Sequence, residues 1–432
     1  MQFVPARWAV LILVLAAETP LFADAHADVS SPPKLLLTAQ QLKRLGRDRT
    51  RKTERWTNFE HRIDTSPESP ERGFELALYY AITHDDKTGV AAVQWALDHP
   101  DEARQVALIT DWCADKFTES QRRQILTAAL DETRAQAGPS ATHSAAGLDP
   151  RRYRDLLFLQ TLLDPSFPAS YETWWNSVIG ILARREGTWL SDPRQLYALC
   201  EILEVVRENT RVDLRADHLT VFENLPSEYL LSLHPRQLEQ PTWQMRAAAL
   251  ALIGIDPNLA SAQYVQGWAM EDPRVIREGP GIAYELLWAD PYLPGLSFYN
   301  LDPWAYDPDA GLLYARSGWE PDSCWIRISA ASDKPERTGA VAEENCPAGW
   351  QERPFEAGHL TLLPFKADCL DVPRVPNALA ANAPVYLAWG LKPNVKITWV
   401  DQKKATSTRA DRAGMLRIPL NGEEKVCLAK VR

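Results

Sequence analysis

Between residues 38 and 290 apolar side chains recur at three- and four-residue spacing in runs broken by short polar stretches, a period that predicts helices. "LTAQQLKRLGRDR" opens with Thr38 in an N-cap position and sets Leu42 and Leu45 on one face. Two apolar runs, Phe74 to Ile82 and Val90 to Leu97, are separated by "THDDKTG" and read as a helical hairpin. "DEARQVALITDWCADKF" and "TESQRRQILTAAL" repeat the pattern, with Thr118 and Gln121 forming a capping box. Further helices follow in "RRYRDLLFLQTLL", "YETWWNSVIGILAR", "PRQLYALCEILEVVREN", "TWQMRAAALALIG" and "GIAYELLWA". Hairpins repeated over this length predict an α/α solenoid or toroid, although no strict repeat period is present.

The period changes after residue 300. Leu313 and Ala315 alternate with Tyr314 and Arg316, then Cys324, Ile326 and Ile328 with Trp325 and Arg327, so two strands joined by "SGWEPDS" are expected. "APVYLAWG", "NVKITWVD", "GMLRIPL" and "EKVCLAKVR" are short alternating runs that predict a small antiparallel β domain, preceded by the linker-like "ADCLDVPRVPNALAANAP". The expected class is mainly α, helical hairpins in an α/α solenoid or closed toroid over residues 35–300 followed by a small β-sandwich-like domain over 301–432, with strands from about residue 310.

A chain of 432 residues with a net charge of −10 fits two such domains. Residues 331–432 carry 15 Lys/Arg against 12 Asp/Glu, so the acidic excess lies before them and argues against nucleic acid as a partner. At the amino terminus, Arg7, the apolar run Trp8 to Ala17 and "AHA" ending at Ala27 have the order of a secretory signal, residues 1–27. That run is short for a membrane span, so no stable span is expected after its removal, and the mature chain is expected to be periplasmic or secreted. Export gives meaning to the six cysteines. Cys324, Cys346, Cys369 and Cys427 lie in the last quarter, where at least one bridge is expected, while Cys113 and Cys200 read as buried thiols. No Cys-x-x-Cys, Cys/His cluster, phosphate loop or dinucleotide fingerprint occurs, so no metal site or cofactor is expected.

Four stretches, "LLLTAQQLKRLGRDRTRKTERW", "ALITDWCADKFTESQRRQIL", "REGTWLSDPRQLYAL" and "YDPDAGLLYARSGWEPDSCWI", together resemble, in this order, the helical part of heparinase II/III-like and alginate-lyase-like polysaccharide lyases, over roughly residues 35–330. The resemblance implies an incomplete α/α toroid followed by a sandwich, with a polysaccharide in the groove between them. It also implies β-elimination at a uronate, in which one group neutralises the carboxylate, a base removes the C5 proton and an acid protonates the departing oxygen.

Family members place an Asn-His pair before a Gly-x-Trp-like stretch and a His-x-His-x-Asp-like motif in the sandwich. Here the nearest match to the first, "ARREGTW", holds Arg185 and Glu186 in those places, and "ASDKPERTGAVAEENCPAGW" contains no histidine. Arg185 can clamp a carboxylate by bidentate bonds, with Asn176 as a second clamp and Trp189 nearby. The other reading of Arg185 and Glu186 is a solvated hairpin tip. His218, Tyr229 and His234 in "ADHLTVFENLPSEYLLSLHP" are the candidate proton carriers. For hydrolysis two opposed carboxylates are required, and Asp111, Asp302, Asp307 and Asp309 are candidates, although Asp302 and Asp307 precede prolines and read as turn residues.

Sixteen tryptophans favour sugar handling, because an indole face packs on a pyranose ring. Most aromatics of residues 300–329 are expected in the core, with Trp304, Tyr306 and Trp319, beside turn residues, facing a groove. Two functions follow from the sequence. One is an exported polysaccharide-processing enzyme with rearranged catalytic residues and little lyase turnover; the other is a non-catalytic glycan-binding or envelope-assembly protein.

Overall fold

The computed structural model describes residues 34–137, 149–164, 166–185, 192–271, 279–330, 340–366, 369–371, 383–400, 405–418 and 425–428. The signal-like segment 1–27 lies outside the described residues.

Fourteen helices are found among the described residues. Six of them form an inner ring: α3 (Arg72–Thr83), α5 (Ala103–Trp112), α7 (Pro150–Leu163), α9 (Pro193–Thr210), α12 (Trp243–Ile255) and α14 (Gly281–Trp288). Each packs on the next in that order, and α14 returns to α3 and to α2 (Glu54–Thr65), which closes the ring. The outer helices are α1 (Ala39–Arg51), α2, α4 (Asp86–Asp98), α6 (Glu119–Ala137), α8 (Ser170–Ala183), α10 (Leu219–Ser232), the short α11 (Pro235–Glu239) and α13 (Ala260–Glu271). The sequence of the inner helices explains their place. Every residue of α9 from Leu196 to Val206 is buried, and so is all of α5 except Asp111, because these helices have neighbours on every side. Outer helices bury one stripe: α2 buries Trp56, Phe59 and Ile63, spaced at three and four. Stacked rings join α8 to its neighbours, Trp174 on Tyr153 at 4.4 Å and Trp175 on Phe222 at 6.0 Å.

Local signals act as the sequence predicts. Thr38 caps α1 and Thr118 caps α6, each in a reciprocal box with the glutamine three residues on. Two inner helices, α7 and α9, begin with a side-chain cap, since Asp149 and Asp192 accept the amides of Arg151 and Arg194 while Pro150 and Pro193 occupy the first turn.

One end of the ring is plugged. Leu35, Leu36 and Leu37 are buried there. Asp111 at the end of α5 accepts the amides of Lys34 and Leu35, both at 2.9 Å. Trp112 donates to the Leu35 carbonyl, and Asn209 near the end of α9 donates to that of Lys34.

Strands begin at Trp304, slightly earlier than about residue 310. β1 (Trp304–Asp307), β2 (Leu312–Arg316), β3 (Trp325–Ser329) and β4 (Ala340–Glu344) form an antiparallel sheet in sequence order. Leu313 and Ile326 point into the β core while Tyr314 and Trp325 join the helical core, which is why strands buried on both faces carry aromatics throughout. The expectation of purely antiparallel pairing is corrected in the second sheet. There β6 (Leu360–Pro364) runs parallel to β8 (Val385–Trp389), flanked by β5 (Phe355–Ala357) and β11 (Leu416–Ile418). The chain between β6 and β8 makes that parallel register reachable, since a parallel pair needs a long crossover. A third sheet orders β10 (Ala405–Arg409), β9 (Lys396–Val400), β12 (Lys425–Leu428) and β7 (Cys369–Asp371), with Cys427 opposite Cys369 in the backbone register. Cys324 and Cys346 form a disulfide across the ends of β3 and β4, as expected for this quarter of the chain. Cys113 and Cys200 are buried free thiols.

The first sheet docks on the carboxyl end of α10. Trp325 donates to the Leu231 carbonyl at 2.7 Å and Arg316 to that of Leu233 at 2.9 Å. From there the chain runs through α11 into the start of α12. The β domain is therefore attached near the end of the ring where the inner helices begin.

Candidate functional site

At the end opposite the leucine plug, the starts of the inner helices surround a cavity of about 280 Å³. Glu71 comes from the residue before α3, Arg104 from α5, Arg151, Arg154 and Asp155 from α7, and Arg194 and Tyr197 from α9. Trp243 and Tyr284 complete the wall from α12 and α14. All six ring helices thus contribute from their first turns. Their amide ends carry partial positive charge, which accounts for the acidic capping residues Asp149 and Asp192 and for Glu71 and Glu102 in the same position.

The floor is a charge network with its partners fixed. Arg104 pairs side-on with Glu201 of α9, Nη2 to Oε1 at 2.7 Å and Nε to Oε2 at 3.2 Å. The remaining donors of Arg104 reach Tyr284 Oη and Tyr197 Oη, each at 3.2 Å, and Glu71 Oε2 at 3.3 Å. Its guanidinium also lies over Phe74, Tyr197 and Tyr284. Arg154 donates to Glu201 Oε2 at 2.9 Å and to Asp155 Oδ1 at 2.8 Å. Trp288 Nε1 donates to Tyr197 Oη at 2.8 Å, which fixes that hydroxyl in turn.

Burial penalises the charge on Arg104, but Glu201 and Tyr284 outweigh it and hold the group above its ordinary value. The Tyr197 and Tyr284 hydroxyls are pushed well up by burial and so stay protonated while accepting from Arg104. Burial also raises the carboxyls of Glu71 and Asp155, against the pull of Arg104 on the first and of Arg154 on the second. At the mouth Arg151 and Arg194 pair with their own capping residues, Asp149 and Asp192. Trp243 stacks obliquely on Tyr284 at 5.3 Å and remains half-buried, leaving an indole surface on the cavity.

A second cavity, of about 550 Å³, lies between α11, α13 and the turn joining β2 to β3, lined by Trp268, Phe298, Tyr299 and Trp319 among others. Its arginine, Arg246, is buried and paired with Glu285 at 3.2 Å.

The residues singled out in the sequence do not assemble in the ring pocket. Tyr229 is buried and donates to the Met245 carbonyl at 2.8 Å, a core role. His234 meets Glu344 Oε2 at 2.6 Å and packs on Trp325, joining the helical part to the first sheet. His218 closes a single turn of 3-10 helix before α10. Asn176 is exposed on α8. Arg185 is not at a solvated tip: it is buried, in left-handed backbone (φ 52°), and bonded to both oxygens of Glu228 at 2.6 and 2.8 Å. Those donors are committed and leave no fork for a uronate. Trp189 and Glu186 lie outside the described residues.

Trp304 is half-buried, edge-on to His359, and Tyr306 donates to Asp411 at 3.1 Å. Trp319 does line the second cavity, but its indole nitrogen is bound to the Leu301 carbonyl and only 8% of it is exposed. Among the candidate carboxylates, Asp111 holds the leucine plug at the far end of the ring, and Asp307 accepts the amides of Asp309 and Ala310 in a turn.

The pocket residues left a trace in the sequence that periodicity does not register. Asp-Pro-Arg occurs at 149–151 and 192–194, each at the start of an inner helix, and again at 272–274, outside the described residues. A recurring cap-proline-arginine at hairpin spacing marks the end of a toroid to which its inner helices point their first turns.

No family model matches the chain and no curated protein is similar to it. Among the described residues no helix is long and apolar enough to cross a membrane.

Proposed function

We propose that the protein handles glycans outside the cytoplasm and binds a saccharide in the pocket at the open end of the helical ring. One observation carries this reading: an aromatic wall, Trp243 with Tyr197 and Tyr284, stands over a floor of arginines and carboxylates whose positions are fixed by one another. Sugars need that combination, an indole face for the apolar side of the ring and oriented donors and acceptors for the hydroxyls. Fixed groups lose little entropy on binding. Small-ligand pockets start near about 300 Å³, so a cavity of about 280 Å³ suits the end of a chain better than its middle.

The export signal read from residues 1–27 and the Cys324–Cys346 bridge both support a periplasmic or secreted location. Amino-terminal sequencing of the exported form should give a start near Asp28. Calorimetric titration with tetrasaccharides of hyaluronan, heparin, alginate, chitin and cellulose tests the ligand class. Binding of at least one is expected, weakened about fivefold by Trp243→Ala, which removes a stacking contact of about 1 kcal/mol. Failure of all five, or indifference to Trp243→Ala, would remove the proposal.

A further inference from the structure

We infer that the ring pocket hydrolyses the terminal glycosidic bond of a saccharide, with Glu71 as general acid and Asp155 as general base toward water; this rests on the saccharide-binding reading. Glycoside hydrolysis requires two carboxyl groups on one pocket, one holding a proton and the other ionised. Glu71 and Asp155 line the same cavity from α3 and α7, the two ring helices that flank α5. Their side chains are 17% and 22% exposed, shielded yet open to the cavity, whereas Asp101 and Glu102 on its rim are exposed to solvent.

Their partners separate the two roles. Asp155 is held by its neighbour Arg154 at 2.7 and 2.8 Å, both contacts on Oδ1, and among the described residues Oδ2 has no hydrogen-bond partner. Burial raises this carboxyl too, but two close contacts from one arginine favour its ionised form while one oxygen stays available to water. Glu71 has a single, longer contact, 3.3 Å, to an Arg104 already committed to Glu201, so its charged form is supported less than that of Asp155 and it is the better placed of the two to hold the proton. Glu201, fully buried under both arginines, engages Arg104 through Nε and Nη2 but Arg154 through Nη1 alone, which leaves Arg154 freer for Asp155 than Arg104 is for Glu71.

In the step, Glu71 gives its proton to the departing glycosidic oxygen as the C1–O bond breaks. Water bonds to C1, and Asp155 takes the proton that water sheds. The pair is reset when that proton returns through solvent to Glu71. The overall change adds one water and is redox-neutral. It also differs from elimination, which would leave an unsaturated uronide.

The test uses the purified full chain with the same five tetrasaccharides and with 2,4-dinitrophenyl glycosides of the sugars that bind. New reducing ends are expected, carrying ¹⁸O at C1 when the reaction is run in ¹⁸O-water. Glu71→Gln should retain binding and lose about 10²- to 10⁴-fold in turnover of the tetrasaccharide. It should lose far less on the dinitrophenyl glycoside, whose leaving group needs no proton. Asp155→Asn should lose activity on both. Tight binding without hydrolysis by the wild type would overturn the inference and leave the binding reading intact, and so would ultraviolet-absorbing unsaturated ends. Equal losses for Glu71→Gln on the two kinds of substrate would overturn the acid assignment. Absence of any saccharide binding would sink both readings.

Discussion

Glu201→Gln is the sharpest probe of the ring. Glu201 is fully buried and serves two guanidinium groups: its Oε1 takes Arg104 Nη2 at 2.7 Å, and its Oε2 takes Arg154 Nη1 at 2.9 Å. The amide has nearly the same shape but one acceptor oxygen and no charge. Placed with its oxygen toward Arg104, it turns its NH₂ on Arg154, donor against donor, and leaves two buried cations with no shared counter-charge. Removing one partner of a buried ion pair typically costs about 3–5 kcal/mol. The expected loss is near the upper half of that range, because two cations share the one carboxylate.

Urea unfolding followed by tryptophan fluorescence and circular dichroism measures it, provided the two probes coincide. Replacing Arg104, Glu201 and Arg154 together by apolar residues of similar volume should lose less than Glu201→Gln alone, since the carboxyls that then lose their arginine, Glu71 and Asp155, open on the cavity and can be hydrated or protonated. A Glu201→Gln protein within about 1 kcal/mol of the wild type would refute the reasoning, for it would mean that water reaches and solvates both arginines.

Three further outcomes are expected. Joint replacement of Cys324 and Cys346 by Ala opens a loop of sequence separation 22 and should lower stability by about 3 kcal/mol, read as a shift in the urea midpoint that reductant reproduces in the wild type. Burial pushes the Asp111 carboxyl up to about 6 despite the amides it accepts; because the folded value is raised, the contribution is complete below about pH 4 and is lost as pH rises through about 6. Asp111→Asn should therefore flatten that limb of the stability profile by on the order of 3 kcal/mol, and an unchanged slope would count against the assignment. Gly267→Ala would place a methyl 1.9 Å from the Leu296 carbonyl oxygen, a backbone atom that cannot swing aside; a loss of about 1–3 kcal/mol in thermal or urea unfolding is expected, and a neutral variant would show that residues 291–297 yield freely.

The sequence by itself determined the local elements and their order. Helical periodicity, the boxes at Thr38 and Thr118 and the Asp-Pro starts at 149 and 192 act within a few residues, so they are readable along the chain and hold in the fold. The change of period after residue 300 was legible for the same reason, and the bridge in the last quarter was legible from the crowding of four cysteines there in a chain with an export-like start.

Tertiary structure alone decided what those elements share. Whether Arg185 faced a ligand or an internal partner depended on Glu228, 43 positions away, and Tyr229 became a core residue because the Met245 carbonyl lay within reach. The pocket is more distant still from any local signal: Arg104 meets Glu201 and Tyr284 across separations of 97 and 180 residues. Periodicity treats a charged residue on an apolar helix as a blemish and cannot say whether it is a solvated edge or the floor of a cavity. Closure of the ring settles it, by bringing the first turns of six helices together where water is scarce and every buried charge must find a partner.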